Sequence, residues 1–343
     1  MRYIRQEIFP EIGRKGQQKL RKSTVAIIGL GALGSVSAGL LARAGIGKLI
    51  LIDRDIVELT NLQRQSLFDE KDVGKPKALA AKEHLNEINS DIKINFFIDD
   101  LNFDNIEKIL NIEKNNLDLI LDCTDNLETR FLINDFCVKN GIPFIYSSAV
   151  GSKGYVFNII PNKSYACLRC FLKEAAQLDT CETAGVLNAI TNLISSILVN
   201  EAIKIILNNK NIEKRLLFFD VWKNELLKIK VKKNPSCICC IKNNFEYLTG
   251  KKSSKIIKLC GDNVYQIRLK SIDKKMFNNL KNKLKKIGKV GNERARSEFS
   301  HVTDFGYCIN LDNKMTIFND GRALIKAKDE KEAKSLYSRF VGN

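Results

Sequence analysis

The sequence predicts an α/β protein built on a Rossmann-like, doubly wound and mostly parallel sheet. Three observations predict this fold class. A short apolar run, Val25–Ile28, leads into a glycine turn and a helix of small residues, and a second apolar run, Leu49–Ile52, follows. Further apolar runs alternate with helical patterns as far as residue 150, as in βαβ units. From Gly154 onwards the strands have short connections, which predicts an antiparallel extension of the sheet.

The glycine turn predicts a nucleotide site. Gly29, Gly31 and Gly34 permit a tight turn and let the backbone approach a phosphate at the N-terminus of the helix. Asp53 ends the second strand, where a carboxylate can bind the hydroxyls of a ribose. NAD is the usual ligand of such a unit, so this stretch alone leaves the choice of nucleotide open.

The elements around this unit follow from local signals. Residues 1–24 read as a helical arm, and a polar loop follows Asp53. A helix begins near Pro76, because proline fits the first turn, and Lys77 lies at its start. Strands are predicted at Lys93–Ile98 and from Leu117, and a helix ends on Gly141 before the strand of residues 143–150.

The chain divides into two predicted domains. Residues 1–248 form the larger domain, a charged linker covers 249–255, and residues 256–343 form a small α+β domain. The smaller domain is expected to contain a helix with a lysine-rich face, Asp273–Ile287, and a closing helix, Glu330–Phe340. It has no catalytic constellation that we can identify, so its role is left open.

Charge and composition limit the possible partners. The net charge is +17, and residues 251–343 carry 22 Lys and Arg against 10 Asp and Glu. A polyanion or an acidic protein is compatible with this excess, but no aromatic-interleaved basic motif indicates RNA, and we do not expect nucleic acid. The apolar helix Val186–Leu207 contains Asn188, Glu201 and Lys204, which favours a core or dimer-interface helix over a membrane span. Ten cysteines without a secretion signal indicate the reducing cytoplasm.

Two C-x-x-C pairs predict a structural zinc clip. The pairs are Cys167 with Cys170, and Cys237 with Cys240. Four thiolates complete one tetrahedral Zn²⁺ site and leave no open position, so the metal is expected to be structural. Cys239 remains outside this set and is expected to be incidental. A dehydrogenase has no particular use for such a clip, which weighs against NAD.

Taken together, the motifs identify a family resemblance. The chain resembles the ubiquitin-activating-enzyme-like adenylyltransferases, and among them those that activate sulfur-carrier proteins for molybdopterin or thiamine synthesis. Besides the two cysteine pairs, the matching segments are RYIRQ (Arg2–Gln6), GLGALG (Gly29–Gly34), NLQRQ (Asn61–Gln65), VGKPKA (Val73–Ala78), DCTDN (Asp122–Asn126) and CETAGVL (Cys181–Leu187). They span residues 1–248, which the resemblance makes an ATP-dependent adenylation domain.

The resemblance implies a homodimeric enzyme that uses ATP and Mg²⁺ to adenylylate the C-terminal glycine carboxylate of a small ubiquitin-fold sulfur carrier ending in Gly-Gly. Asp53 would then bind the ribose, and Asp125 the Mg²⁺. The residues expected along the phosphates are Asn61, Arg64 and Lys77, with Arg5 reaching the neighbouring subunit's site. Cys181 matches a cysteine that in some members bonds covalently to the activated carrier.

The residue inventory favours this chemistry over its alternatives. A carboxylate is already ionised at neutral pH, so its attack on a phosphate requires cations rather than a general base. The chain has many Arg and Lys but only two histidines, His84 and His301, whereas hydride transfer usually requires a histidine near the substrate. The alternatives are an NAD-dependent oxidoreductase, adenylation of a peptide or a tRNA base, and a non-catalytic scaffold or nucleic-acid binder.

Overall fold

The computed structural model describes residues 2–162, 165–172, 184–252, 257–258, 264–267, 274–289, 302–312 and 314–341. The chain forms two compact units, Met1–Ser253 and Ser254–Asn343. The division between the units falls inside the segment that the sequence predicts as a linker.

The first unit is built on one eight-stranded sheet. Its strands are β1 (Thr24–Ile28), β2 (Lys48–Ile52), β3 (Lys93–Phe97), β4 (Leu117–Asp122), β5 (Phe144–Val150), β6 (Lys153–Ile159), β7 (Leu216–Asp220) and β8 (Glu225–Ile229). Their order is β3-β2-β1-β4-β5-β6-β7-β8. The pairs from β3 to β5 are parallel and those from β5 to β8 are antiparallel. The structure therefore confirms the parallel sheet and its antiparallel extension.

Helices cover both faces of this sheet. They are α1 (Ile4–Ile8), α2 (Gly13–Lys22), α3 (Ala32–Ala44), α4 (Lys77–Ile88), α5 (Ile106–Leu110), α6 (Ile112–Asn115), α7 (Leu127–Asn140) and α8 (Asn188–Leu207). Alternate residues of β1 point to opposite faces: Val25 and Ile27 pack with α3, α4 and α8, whereas Ala26 and Ile28 pack with α5 and α7. This double coverage explains why the central strands are apolar throughout.

Helix α8 is the one helix of the described residues that is long and apolar enough to cross a membrane by length and composition. A core helix passes the same test, and α8 is packed in this way, with Ile190, Ile194 and Leu198 fully buried. Its Ser195 hydroxyl donates to the Leu33 carbonyl of α3 at 3.0 Å. Packing in the core therefore accounts for the apolar composition of α8.

The second unit contains a six-stranded antiparallel sheet. Its strands are β9 (Ile257–Lys258), β10 (Val264–Ile267), β11 (Val302–Asp304), β12 (Cys308–Leu311), β13 (Met315–Phe318) and β14 (Ala323–Lys326). They lie in the order β11-β12-β13-β14-β10-β9. Helices α9 (Lys274–Lys289) and α10 (Glu330–Phe340) bury apolar side chains, among them Phe277 and Tyr337, against this sheet.

Candidate nucleotide site and cysteine cluster

The Asp53 carboxylate is bound to the glycine turn. The Leu30 N–H donates to its Oδ2, and the Asp55 N–H donates to its Oδ1 at 2.7 Å. Each oxygen retains acceptor capacity for a ribose hydroxyl. Asp53 is only 7% exposed, and burial raises the pKa of its carboxyl to about 6 even though the nearby Lys77 favours the ionised form. This position is compatible with the ribose-binding role predicted from the sequence.

The three glycines of the turn have different physical roles. A Cβ on Gly34 would stand 1.8 Å from the Gly29 carbonyl oxygen, and one on Gly29, whose φ is +87°, would stand 2.7 Å from that of Cys123. The fold itself therefore requires these two glycines. Around Gly31 the nearest atom, Gln65 Nε2, is 3.9 Å from such a Cβ. Gly31, at the start of α3, is thus the position where a ligand rather than the fold can require glycine.

Lys77 lies at the start of α4 and is almost buried. Its Nζ is 3.5 Å from Asp55 Oδ2, and its backbone N–H donates to the Asp55 carbonyl at 2.9 Å. Burial opposes the charge of Lys77, but the carboxylates of Asp55, Asp53 and Asp125 outweigh it and raise its pKa. The structure therefore brings together three predicted site residues, Asp53, Lys77 and Asp125, in one electrostatic environment.

Asp125 lies exposed in the turn after β4. The next residue, Asn126, caps α7 by accepting a hydrogen bond from the Thr129 N–H at 2.8 Å. The buried Arg130 stabilises this turn through hydrogen bonds: it donates to the carbonyls of Thr124 and Ser147, the latter at 3.2 Å. Sequence reasoning missed Arg130, although its place in the first turns of the helix after Asp125 was a usable signal. An exposed carboxylate on a braced turn fits the way Mg²⁺ binds, through few protein ligands and the substrate's phosphates.

The other two predicted phosphate ligands lie on the loop between β2 and α4. Asn61 is 7% exposed and its Oδ1 accepts from the Glu58 N–H at 3.2 Å. Arg64 is half-buried and donates to the Thr60 carbonyl at 2.9 Å. Both side chains therefore take part in local bonds of the loop, and Gln65 brings this loop close to Gly31.

Arg5 is not brought to the nucleotide site of its own chain. It is exposed on α1, and its neighbour Gln6 donates to the Ala44 carbonyl at the C-terminal end of α3 at 2.9 Å. The glycine turn lies at the opposite end of this helix, whose 13 residues span about 20 Å. Cys181 lies outside the described residues.

The four predicted zinc ligands form a compact cluster. The Sγ of Cys167 is 3.9 Å from that of Cys170 and 3.6 Å from that of Cys237, and Cys170 Sγ is 3.5 Å from Cys240 Sγ. Tetrahedral zinc with Zn–S bonds of about 2.3 Å places its sulfurs about 3.8 Å apart. The donor set and its spacing therefore fit one Zn²⁺ ion. Burial and the neighbouring Cys170 thiol raise the pKa of Cys240 to about 11.

Cys239 lies outside the four-cysteine cluster, in agreement with the prediction that it is not one of the metal ligands, but it has a structural partner. Its side chain is fully buried, and its Sγ accepts a hydrogen bond from Asn134 Nδ2 of α7 at 3.2 Å. Asn134 Oδ1 in turn accepts from the Leu168 N–H of the first cysteine pair at 2.9 Å. One amide thus joins both cysteine pairs to α7, the helix that begins beside Asp125. This partner was not visible in the sequence because Asn134 and Cys239 are 105 residues apart.

The fold and these two sites define a class: a nucleotide-binding α/β domain carrying a four-cysteine clip. Residues 3–239 match the model of the ThiF family. The chain belongs to this family.

Comparisons with individual proteins agree with this family assignment. The chain is 39% identical over 348 residues to the sulfur carrier protein ThiS adenylyltransferase of Bacillus subtilis strain 168, covering 99% of each chain. It is 35% identical to the protein of the same name from Escherichia coli K12, over 70% of this chain and 94% of the relative. Among solved structures, E. coli MccB with ATP is similar at a TM-score of 0.58 and 25% identity, covering 65% of this chain and 67% of MccB.

Proposed function

We propose that this protein is an ATP- and Mg²⁺-dependent adenylyltransferase acting on the C-terminal glycine carboxylate of a small ubiquitin-fold sulfur carrier that ends in Gly-Gly. The observation that carries the proposal is the similarity to the B. subtilis ThiS adenylyltransferase along 99% of both chains. The grouping of Asp53, Lys77 and Asp125 supports it, because these groups suit a nucleotide and its metal.

In the proposed reaction, a carboxylate oxygen of the carrier attacks the α-phosphorus of ATP. The new O–P bond replaces the bond to the β-phosphate, so that acyl-adenylate and pyrophosphate are the products. No proton is removed from the nucleophile, and the demand on the protein is to neutralise and align anions. Mg²⁺, when bound at Asp125, would supply further positive charge to the phosphates.

Each site residue has a defined part in this proposal. Asp53 orients the ribose, and Asn61 and Arg64 bind phosphates after leaving their local loop bonds. Lys77 remains charged at neutral pH, because the surrounding carboxylates raise its pKa, and its position at the start of α4 suits a phosphate contact. The resulting complex holds the α-phosphorus in front of the carrier's terminus.

A homodimer would explain the position of Arg5. Within one chain, α3 separates this residue from the glycine turn, so any contact with phosphates has to be made in a second subunit. We propose that Arg5 acts there. Cross-linking and analytical ultracentrifugation would test the dimer, and mixing an Arg5→Ala subunit with a Lys77→Met subunit should restore part of the activity if Arg5 acts across the interface.

The remaining features complete the proposal. The four-cysteine cluster binds one structural Zn²⁺, residues 256–343 form an accessory domain, and the enzyme acts in the cytoplasm. An NAD-dependent oxidoreductase and a tRNA-base or peptide adenylating enzyme are not favoured, because the long matches are to proteins named as adenylyltransferases of a sulfur carrier.

The test is pyrophosphate exchange into ATP, measured with purified Gly-Gly-ended carriers of both thiamine and molybdopterin type. We expect exchange that depends on one carrier and on Mg²⁺. A carrier truncated by its last glycine is the matched control and should give none. Absence of exchange with every such carrier would refute the proposed function.

A further inference from the structure

The Asp55 carboxylate lies between two cations, one on each oxygen. Its Oδ2 is 3.5 Å from Lys77 Nζ, and its Oδ1 is 3.8 Å from Arg54 Nε. The Asp55 side chain is 35% exposed, whereas those of Arg54 and Lys77 are 13% and 8% exposed. The nearest carboxylate to the proposed phosphate-binding lysine is therefore shared with a second, nearly buried cation.

The two cations are held differently. Lys77 has a long and flexible side chain, and its contact with Asp55 is at the limit of a hydrogen bond. The Arg54 guanidinium also donates to Asp100 Oδ1 at 2.8 Å, on the segment that follows β3. Burial opposes the charge of Arg54, but Asp100 and Asp55 outweigh it and raise its pKa. Arg54 thus contacts carboxylates on two loops, its own and that of Asp100, and is held in place. Lys77 contacts Asp55 at a longer distance and can turn to another anion.

This difference matters when an anionic ligand arrives. If Lys77 turns to a phosphate, Asp55 loses the cation on its Oδ2 and becomes a negative charge beside the triphosphate. A carboxylate in that position repels the ligand unless another cation remains with it. Arg54, on the other oxygen, is the group placed to remain.

We propose that Arg54 is a positioning residue. It stays beside Asp55 and compensates the negative charge of that carboxylate when the Lys77 side chain turns from Asp55 to the phosphates of the nucleotide. The inference rests on the proposed function for the identity of the ligand.

The test combines Arg54→Met, Asp55→Asn and the double variant, with kcat and KM for ATP from pyrophosphate exchange and the Kd for ATP from calorimetry. Arg54→Met should raise KM and Kd for ATP about tenfold and change kcat less than about threefold, because it leaves a repelling carboxylate. Adding Asp55→Asn should remove most of that increase, since the carboxylate is then gone. The conservative Arg54→Lys should retain at least half of the wild-type affinity.

Asp100→Asn separates this role from simple bracing of the loop. If Arg54 served only to hold Asp100, Asp100→Asn would reproduce the Arg54→Met defect and Asp55→Asn would not relieve it. That pair of results would overturn the inference, as would an unchanged KM and Kd in Arg54→Met.

Two controls keep the outcomes distinct. Circular dichroism and thermal unfolding show whether Arg54→Met folds; if it does not, the polar but neutral Arg54→Gln replaces it, and adding Asp55→Asn to the Arg54→Gln variant must then improve ATP binding or the inference fails. If the wild-type enzyme binds ATP but shows no exchange with any carrier, the proposed function fails, while the Kd series still decides the role of Arg54.

Discussion

The nucleotide site and the cysteine cluster of the first unit bring chemical groups together in opposite ways. The nucleotide site interleaves acids and bases: Asp55 lies between Lys77 and Arg54, and Asp53 is bound by backbone donors. The cysteine cluster packs four identical donors with sulfurs as close as 3.5 Å. In a site of mixed charge, a cationic side chain can turn from a carboxylate of the protein to an anion of the ligand, which suits reversible binding of a substrate. A site of like donors is completed by a metal that stays.

The two sites also differ in their construction. The nucleotide site gathers the carboxyl ends of β1, β2 and β4, which meet at one edge because the strands are parallel. The cysteine pairs are 70 residues apart and are joined through Asn134 of α7. Substitutions in the first site should therefore affect turnover, and substitutions in the second should affect metal content and stability.

The largest effect is expected for Lys77, the cationic side chain that can turn from Asp55 to a phosphate. Lys77→Met should lower carrier-dependent pyrophosphate exchange at least about 100-fold, because it removes the nearly buried charge that we propose contacts the phosphates. Arg64→Ala should act in the same direction. The exposed Lys71 of the same loop is the matched control, and Lys71→Met should remain close to wild type. Equal losses in Lys71→Met would mean that general charge, rather than position, matters.

The cysteine cluster should respond in metal content first. Cys167→Ser should reduce bound zinc from about one ion per chain to nearly none and lower the unfolding temperature by several degrees, since four ligands close the site. Atomic absorption and calorimetry measure the two effects. Cys308→Ala, in the second unit, should retain the zinc. Full zinc content in Cys167→Ser would contradict the assigned ligand set.

The buried carboxylate of the nucleotide site should show a pH dependence. Because the pKa of Asp53 is raised from 3.8 to about 6 in the folded protein, its ionised form destabilises the fold above pH 6, and this cost disappears as the pH falls towards 4. Between pH 4 and pH 7.5 the unfolding free energy of the wild type should therefore fall by on the order of 1–3 kcal/mol relative to that of Asp53→Asn, whose side chain does not titrate. The same variant should bind ATP less tightly.

Wild-type ATP affinity should accordingly fall as the pH drops below 6, where Asp53 becomes protonated and loses an acceptor for the ribose. Calorimetric titrations between pH 5 and pH 8, on wild type and Asp53→Asn, measure this. If the variant keeps the same pH profile as the wild type, another group controls binding.

The smallest effect is expected at Cys181. The attack on the α-phosphorus uses the carrier's carboxylate and not a thiol, so Cys181→Ala should leave pyrophosphate exchange within about twofold of wild type. Intact-mass analysis of the enzyme with ATP and carrier would show whether the thiol forms a covalent adduct afterwards. Loss of exchange itself would show that adenylylation and thiol transfer are not separable.

The sequence by itself determined the parts whose signals are local. Apolar runs and small-residue helices predicted the doubly wound sheet, because strand and helix periodicity is written within a few residues of each position. The spacing of the C-x-x-C pairs likewise identified Cys167, Cys170, Cys237 and Cys240 as one donor set. The glycine turn predicted where a nucleotide binds, and this stays a prediction.

Only the tertiary structure decided which side chains are partners. Arg54 meets Asp100 because β2 and β3 are neighbours in the sheet, and Cys239 meets Asn134 because the second cysteine pair packs on α7. The structure also shows that close packing requires glycine at position 34 but not at position 31. It places Arg5 near the C-terminal end of α3, far from the glycine turn. These contacts join segments that are distant in sequence, so strand order and helix packing, rather than any local pattern, set them.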